Sequence, residues 1–291
     1  MDKSILFPNL KIALYNVPKN FEIFGFTVAL YGVVIAIGML IGVSFILKEA
    51  KRVGLNDDKI FDITLITIVI GVIGARIYYV IFAWDSYKNN LLSIFNLREG
   101  GLAIYGGVLF GIVTVLILCK INKYNFLEVA DVCIFGVIIG QIAGRWGNFF
   151  NREAFGEYTD GLFAMLIPKS DIYSSAALTD KMLDNLVVVG NTTYVSVSPT
   201  FLYESVWNLC VFLIMFIVSR HKKFHGQVFF LYLFGYGAGR FWIEALRTDQ
   251  LHLWKSQLPV SRVLAAILVV IGVGLSVYHY KAHPLENEKN N

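Results

Sequence analysis

Apolar runs recur along the chain with polar connections between them, at 26–47, 60–83, 102–119, 127–144, 201–218, 228–246 and 260–278. Each approaches the roughly 20 residues that a helix needs to cross the hydrocarbon of a bilayer. The connections differ in charge. Lys48, Lys51, Arg52 and Lys59 flank the first, Lys120 and Lys123 mark the third, and Arg220, Lys222 and Lys223 mark the fifth. Positive charge collects on the cytoplasmic side of membrane proteins. The odd-numbered connections are therefore assigned inside, the N-terminus outside and the C-terminus inside. Segments 83–101, 149–200 and 247–259 then lie outside, and only 149–200 is long enough to carry structure of its own. Within it, 186–189 and 192–195 are rich in β-branched residues and flank Gly190-Asn191, which predicts a short β-hairpin. The pattern as a whole predicts an all-α integral membrane protein with seven transmembrane helices. It is read as a single membrane domain over 1–291, with a small external head at 149–200 containing short β structure and a polar cytoplasmic tail at 283–291.

Composition agrees with the pattern. Of 291 residues, 56% are hydrophobic and 16% charged, and mean hydropathy is +0.62. A soluble domain of this size carries more charge. The net charge of +4 comes from basic residues beside apolar runs, so it does not indicate a nucleic-acid partner; membrane lipids are the expected surroundings. The first twenty residues lack the continuous apolar core and small-residue cleavage site of a signal peptide. Cys119, Cys133 and Cys210 lie within apolar runs without metal-ligand spacing. They read as small buried hydrophobes, and no metal or cofactor is expected. Glycines at 38/42, 107/111 and 136/140/144 have the four-residue spacing of close helix packing.

Polar chemistry gathers where the fourth run ends. Ile, Val, Gly and Ala give way to Gly144-Arg145-Trp146-Gly147-Asn148-Phe149-Phe150-Asn151-Arg152-Glu153-Ala154-Phe155-Gly156. Polar groups at the edge of hydrocarbon are costly unless compensated, and they commonly mark functional sites. Others accompany them: Tyr31 in the first run, Arg76 in the second, Arg98-Glu99-Gly100-Gly101 and Tyr105 at the third, Gln141 in the fourth, and Pro199, Thr200, Tyr203 and Glu204 at the fifth. On the sixth, Tyr236, Arg240, Glu244 and Arg247 share a helical face. Several arginines thus converge toward one leaflet with few carboxylates to neutralise them. A guanidinium holds phosphate bidentately, so a phospholipid headgroup is the ligand this pattern suits. The competing structural reading pairs Arg240 with Glu244 and Arg145 with Glu153 simply to hold the bundle. A transporter or flippase for an anionic lipid or solute would also place arginines among helices, but with internal repeats and broken helices, and no repeat is visible.

Residues 144–156 match GRxGNFxNxExxG in full, and the chain resembles the prolipoprotein diacylglyceryl transferase family over about 21–278. Shorter fragments agree: Tyr31-Gly32, Gly74-x-Arg76, Glu99-Gly100-Gly101, Pro199-Thr200-x-Leu202-Tyr203-Glu204, and Tyr236-Gly237-x-x-Arg240 with Glu244 and Arg247. The resemblance implies an enzyme of the bacterial cytoplasmic membrane with its active site toward the external leaflet. It would transfer the sn-1,2-diacylglyceryl group of phosphatidylglycerol to the lipobox cysteine of a prolipoprotein signal peptide, releasing glycerol 1-phosphate. Arg145, Arg240, Tyr105 and Glu244 are then the candidate catalytic residues. Tyr31, Arg76, Gly100, Gly101, Asn148, Asn151, Glu153, Gly156, Tyr203, Glu204, Tyr236 and Arg247 are the candidate substrate-binding residues. The nucleophile would belong to the substrate, which removes the need for a catalytic cysteine here. One position departs from the pattern. Tyr105 stands before Gly106-Gly107, where the family commonly carries a histidine suited to deprotonating the thiol. A phenol with a pKa of about 10 is a poor base at neutral pH. Tyrosine, Glu244, Glu153 and arginine-lowered thiol acidity all remain open for that proton, as does an inactive lipoprotein-binding relative.

Overall fold

The computed structural model describes residues 4–97, 100–172, 177–251 and 258–282. Arg98, Glu99, His252 and the tail at 283–291 lie outside the described residues. The chain forms two compact units, Val43–Cys133 on the one hand and Met1–Gly42 with Ile134–Asn291 on the other.

The long helices are α1 (Leu30–Arg52), α2 (Asp57–Phe82), α4 (Ile104–Asn122), α5 (Phe126–Asn151), α7 (Thr200–Ser219), α8 (Gln227–Glu244) and α9 (Val260–Ala282). Short turns α3 (Trp84–Tyr87) and α6 (Asp180–Asp184) lie between them. Among the described residues, six helices are long and apolar enough to cross a membrane: α1, α2, α4, α5, α7 and α9. The protein is therefore a multi-pass membrane protein. Of the seven expected spans, α8 is the one that falls short by composition, because Arg240 and Glu244 interrupt its apolar sequence.

Two boundaries differ from expectation for physical reasons. The first span begins at Leu30, not residue 26, because Phe26–Ala29 is strand β4, paired in a hairpin with β3 (Asn20–Ile23). The fourth does not end near Gly144. Helix α5 runs on to Asn151 and carries Arg145, Trp146 and Asn148 in regular helix. A helix tolerates such residues when their side chains find partners, as they do here.

The small sheet has five strands, in order β2 (Ile12–Leu14), β1 (Ile5–Phe7), β5 (Met165–Pro168), β7 (Thr192–Val197), β6 (Val187–Val189), each antiparallel to its neighbours. The β6–β7 hairpin turns at Gly190-Asn191. Strands β1 and β2 come from the N-terminus, which the reading of 149–200 alone did not include. Their side chains share one core with the insertion. Ile5, Phe7 and Val17 pack with Met165, Ile167, Met182, Val195 and Val197, and also with Phe149 of α5 and Phe201 of α7. That core fixes the ends of the two helices bearing Arg145 and Glu204.

Glycine spacing is used for packing at two of the three expected stripes. A Cβ on Gly38 would lie 2.5 Å from Ala143 Cβ, and one on Gly42 would lie 3.0 Å from the Gly136 carbonyl. Gly107 and Gly111 face α2 at Gly71 and Thr67. A Cβ on Gly38 would also come within 3.8 Å of Gly140 Cα, whereas a Cβ added to Gly140 or Gly144 would meet nothing within 4 Å, so those two positions are not themselves required to be glycine by close packing.

Candidate active site

Helices α5, α7 and α8 bring the charged residues together. Arg145 is nearly two turns before the end of α5. Its Nη2 donates to Glu204 Oε1 at 2.5 Å and its Nη1 to Asn148 Oδ1 at 3.2 Å. Glu204, in the first turns of α7, also accepts from Arg240 Nη1 at 3.0 Å. Arg240 Nη2 lies 2.7 Å from Glu244 Oε2, one turn on in α8. Arg247, just past that helix, approaches Glu244 at 3.6 Å and binds Asp249 through two hydrogen bonds, 2.9 and 2.8 Å long. The result is a chain of alternating charge: Arg145, Glu204, Arg240, Glu244, Arg247, Asp249.

This corrects the expectation of arginines with few carboxylates. The expected Arg240–Glu244 pair forms, but Arg145 pairs with Glu204 and not with Glu153. The burial is unequal. Glu204 and Glu244 side chains are 2% and 3% exposed, whereas those of Arg145 and Arg240 are 19% and 14% exposed. The carboxylates are the hidden side of the network, and the arginine side chains keep some exposure. Burial would push the Asp249 carboxyl up, but its hydrogen bonds to Arg247 and that group's charge outweigh burial and hold it below the usual carboxylate range.

The end of α5 explains the spacing of its polar residues. Arg152 has φ of 55°, its N–H donates to the Phe149 carbonyl, and the N–H of Glu153 donates to that of Asn148. These are the two hydrogen bonds of a Schellman cap, which satisfies the last carbonyls of a helix. The cap turns Glu153 back over its own helix, where Oε1 accepts from Asn148 Nδ2 at 2.9 Å and Asn151 Nδ2 at 3.2 Å. Arginine is a rare left-handed residue. Its side chain, fully buried, compensates by reaching the Val17 carbonyl at 2.5 Å, the Phe150 carbonyl at 2.8 Å and the Asp171 carboxylate at 2.9 Å.

Two glycines of the motif are close-approach positions. Tyr31 lays its ring on Gly147, where a Cβ would come within 2.5 Å of the ring. Gly156 forms a bridge with Arg247, and its N–H donates to the Ser198 carbonyl at 2.9 Å; a Cβ there would lie 2.8 Å from the Leu246 carbonyl. Gly156 thus holds the segment carrying Arg247.

Tyr236 stacks on Tyr232 at 5.5 Å, and the Tyr232 hydroxyl accepts from Gln141 Nε2 at 2.8 Å. Tyr203 lies against Phe163. Tyr232, Asp249, Ser205 and Asn208 were not singled out in the sequence. Ser205 accepts from Trp146 Nε1 at 3.2 Å. Only Asp249, two residues after Arg247, had a local signal. Asn208, one turn beyond Glu204, is wholly buried with neither amide atom partnered among the described residues.

In the other unit, Arg76 is 7% exposed and has its guanidinium enclosed by backbone carbonyls. Nε donates to Ile94 at 2.7 Å, Nη1 to Gly100 and Gly101 at 2.8 and 3.0 Å, and Nη2 to Ser93 and Asn96 at 2.9 and 3.1 Å. Its fork holds the carbonyls of Ser93, Ile94, Asn96, Gly100 and Gly101 together. Gly101 has φ of 80°, and a Cβ there would lie 2.4 Å from Arg76 Nη1. Gly100 also has positive φ. Tyr105 lies in the first turn of α4, 37% exposed.

Residues 18–278 match the family model described as prolipoprotein diacylglyceryl transferase. A phosphatidylglycerol–prolipoprotein diacylglyceryl transferase of Clostridioides difficile is 40% identical over 258 residues, covering 89% of this chain and 93% of the relative. Proteins of the same name from Listeria monocytogenes and Finegoldia magna are 39% and 35% identical, covering 90% and 92% of this chain and 89% and 98% of their own lengths. The chain belongs to the prolipoprotein diacylglyceryl transferase family.

Proposed function

We propose that this chain transfers the sn-1,2-diacylglyceryl group of phosphatidylglycerol to the lipobox cysteine thiol in a prolipoprotein signal peptide. The sulfur attacks the glyceryl CH₂ that bears the phosphate ester. A carbon–sulfur bond forms, the carbon–oxygen bond breaks, and glycerol 1-phosphate leaves with the bonding pair. The thiol proton passes to a base or to solvent. No carbon–oxygen bond of this kind breaks readily unless the charge growing on the phosphate is stabilised. Donors fixed in advance in a water-poor site do this best.

The observation that carries the reading is Glu204 held between Arg145 and Arg240. It orients two forks from different helices, and both arginine side chains stay partly exposed. Arg145 and Arg240 are assigned to the phosphate. Asn148, Asn151 and Glu153 form the polar edge beside Arg145 and are assigned to the glycerol headgroup. Tyr31 of α1, whose ring lies on Gly147 of α5, Tyr203 of α7 and Tyr236 of α8 are assigned to the lipid backbone. Glu204, Glu244 and Arg247 hold the arginines in place. Glu244 Oε2 lies 2.7 Å from the Arg240 guanidinium and 3.6 Å from that of Arg247. Tyr105 is assigned to the proton step from its motif position alone.

Helix α8 is assigned as a seventh span. Val211 packs on Gly235, Trp207 on Gly239, and Glu204 binds Arg240. This descending register makes α8 antiparallel to α7 along its length, and on its other side Gly237 and Gly272 bring it against α9. At 1.5 Å per residue its 18 residues extend about 27 Å, enough to follow its neighbours across the hydrocarbon. Seven spans with basic residues inside put the N-terminus, the sheet and the arginine network on the external side of the bacterial cytoplasmic membrane and the tail at 283–291 in the cytoplasm. The sheet, built from 149–200 and the N-terminal strands, is the external head. The test of function is direct: purified protein, phosphatidylglycerol and a lipobox peptide should yield the thioether adduct, and a peptide with serine for the lipobox cysteine should yield none.

A further inference from the structure

Away from the arginine network, α7 ends and α8 begins beside the last turns of α9. A cavity of about 540 Å³ opens among the last turn of α7, the first turns of α8 and the last turns of α9. That volume is within the range of about 300–1,000 Å³ typical of small-ligand sites. Its walls are apolar, including Phe234, Val273 and Val277, each of which is exposed; its rim is polar, formed by Gln227, Tyr280 and Lys281. Val218, on its edge, is fourteen residues along α7 from Glu204, about 21 Å away at 1.5 Å per residue. The cavity is therefore separate from the candidate active site.

The helices that line it carry charge of one sign at this end. No aspartate or glutamate occurs between Glu204 and Glu244 or anywhere in α9, whereas Arg220, Lys222, Lys223 and Lys281 all belong to this end. Lys223 is held at the rim. Its N–H donates to Gln227 Oε1 at 2.6 Å, and its ammonium lies 5.4 Å from the centre of the Tyr280 ring. The nearest following acids, Glu286 and Glu288, are in the polar tail outside the described residues. That tail has no apolar run with which to fill the cavity. Basic pockets between helices at the cytoplasmic side of membrane proteins take anionic lipid headgroups, with acyl chains against the apolar walls. We propose that this cavity binds one anionic phospholipid, its phosphate at Lys223 and Lys281 and an acyl chain along Phe234, Val273 and Val277.

The test uses photoactivatable phosphatidic acid, with photoactivatable phosphatidylcholine as the uncharged comparison, on the purified full-length protein. Phosphatidic acid should label peptides from 218–234 and 272–281, and phosphatidylcholine should label them much less. Neutralising both lysines, K223Q with K281Q, should weaken that labelling roughly thirtyfold, the effect expected of two basic residues beside an anionic headgroup. Val273→Trp should block the apolar part and abolish labelling even where the lysines remain, with melting temperature showing that the variant folds. Arg240→Ala should leave labelling at this end unchanged, which separates the site from substrate binding. Equal labelling by both lipids, unchanged labelling in K223Q/K281Q, or labelling confined to the Arg145 end would overturn the proposal.

Discussion

Glu204 and Arg240 meet across two helices at 3.0 Å, and the same carboxylate holds Arg145 at 2.5 Å through its other oxygen. One buried side chain thus sets the distance between two guanidinium groups whose own helices do not. Removing one partner of a buried ion pair commonly costs about 3–5 kcal/mol. Glu204→Ala should therefore lower the melting temperature and remove most transfer. Glu204→Gln, which keeps the shape but not the charge, should fold better and still turn over poorly. Full turnover in Glu204→Gln at normal protein level would show that the arginines do not need it.

Arg145→Ala and Arg240→Ala each remove a charge-assisted contact, worth about 1.5–3 kcal/mol, so a tenfold to hundredfold loss of kcat/KM is the minimum expected. Lysine at either position should rescue poorly, because a single ammonium cannot both bind Glu204 and present a planar fork. Arg76→Lys should behave differently. It breaks the carbonyl enclosure of the 93–101 segment, so stability should fall along with activity. Steady-state kinetics and thermal melting on the same preparations separate the two patterns.

Much of this was legible in the sequence, and the reasons for the rest are specific. Runs of about twenty apolar residues announce spans because lipid leaves the backbone no alternative to helix. Strands β1 and β2 have three residues each and no alternation to read, and they become structure only against β5, more than 150 residues away. Arg145 and Arg240 were legible as residues, but their shared partner was not. Glu204 is 59 residues from one and 36 from the other, and periodicity does not carry such distances. The close approaches of Gly147 to a tyrosine ring and of Gly156 to the segment at Leu246 were not legible, because both partners are distant in sequence. Arg76 carried a phosphate-binding residue type but is spent on carbonyls.

Arg152 offers a test of how the head supports the site. Arg152→Gly relieves the left-handed backbone but loses the contacts to Val17 and Asp171. If those contacts hold Glu153 over Asn148 and Asn151, the variant should raise KM for phosphatidylglycerol several-fold with little change in kcat, and Asp171→Asn should do the same to a lesser degree. Unchanged KM in both would leave Arg152 as a folding residue only.

The three cysteines should be dispensable together, since the nucleophile is in the acceptor. In that cysteine-free background, single reporters at Asn89 and Asn191 should react with an impermeant thiol reagent added outside intact cells. A reporter at Lys120 should react only after permeabilisation. The reverse pattern would put the arginine network on the cytoplasmic side, and covalent lipid on Cys119, Cys133 or Cys210 during turnover would contradict direct transfer to the acceptor.

Tyr105 is tested by pH. If its hydroxyl takes part in the proton step, Tyr105→Phe should lower kcat with little change in lipid affinity. Tyr105→His should retain or raise activity and shift the rate optimum downward, because imidazole titrates near about 6.5. Superimposable profiles for wild type, Phe and His would move the proton step elsewhere, with Glu153 the next residue to substitute.

Diacylglyceryl transfer itself is tested most directly by intact-mass spectrometry of a lipobox peptide after incubation with purified protein and phosphatidylglycerol. The expected product is the peptide carrying one diacylglyceryl group in thioether linkage on its cysteine, formed together with an equal amount of glycerol 1-phosphate and absent with Arg145→Ala. Unmodified peptide after prolonged incubation with folded protein, or lipid movement across vesicles without any peptide adduct, would contradict it.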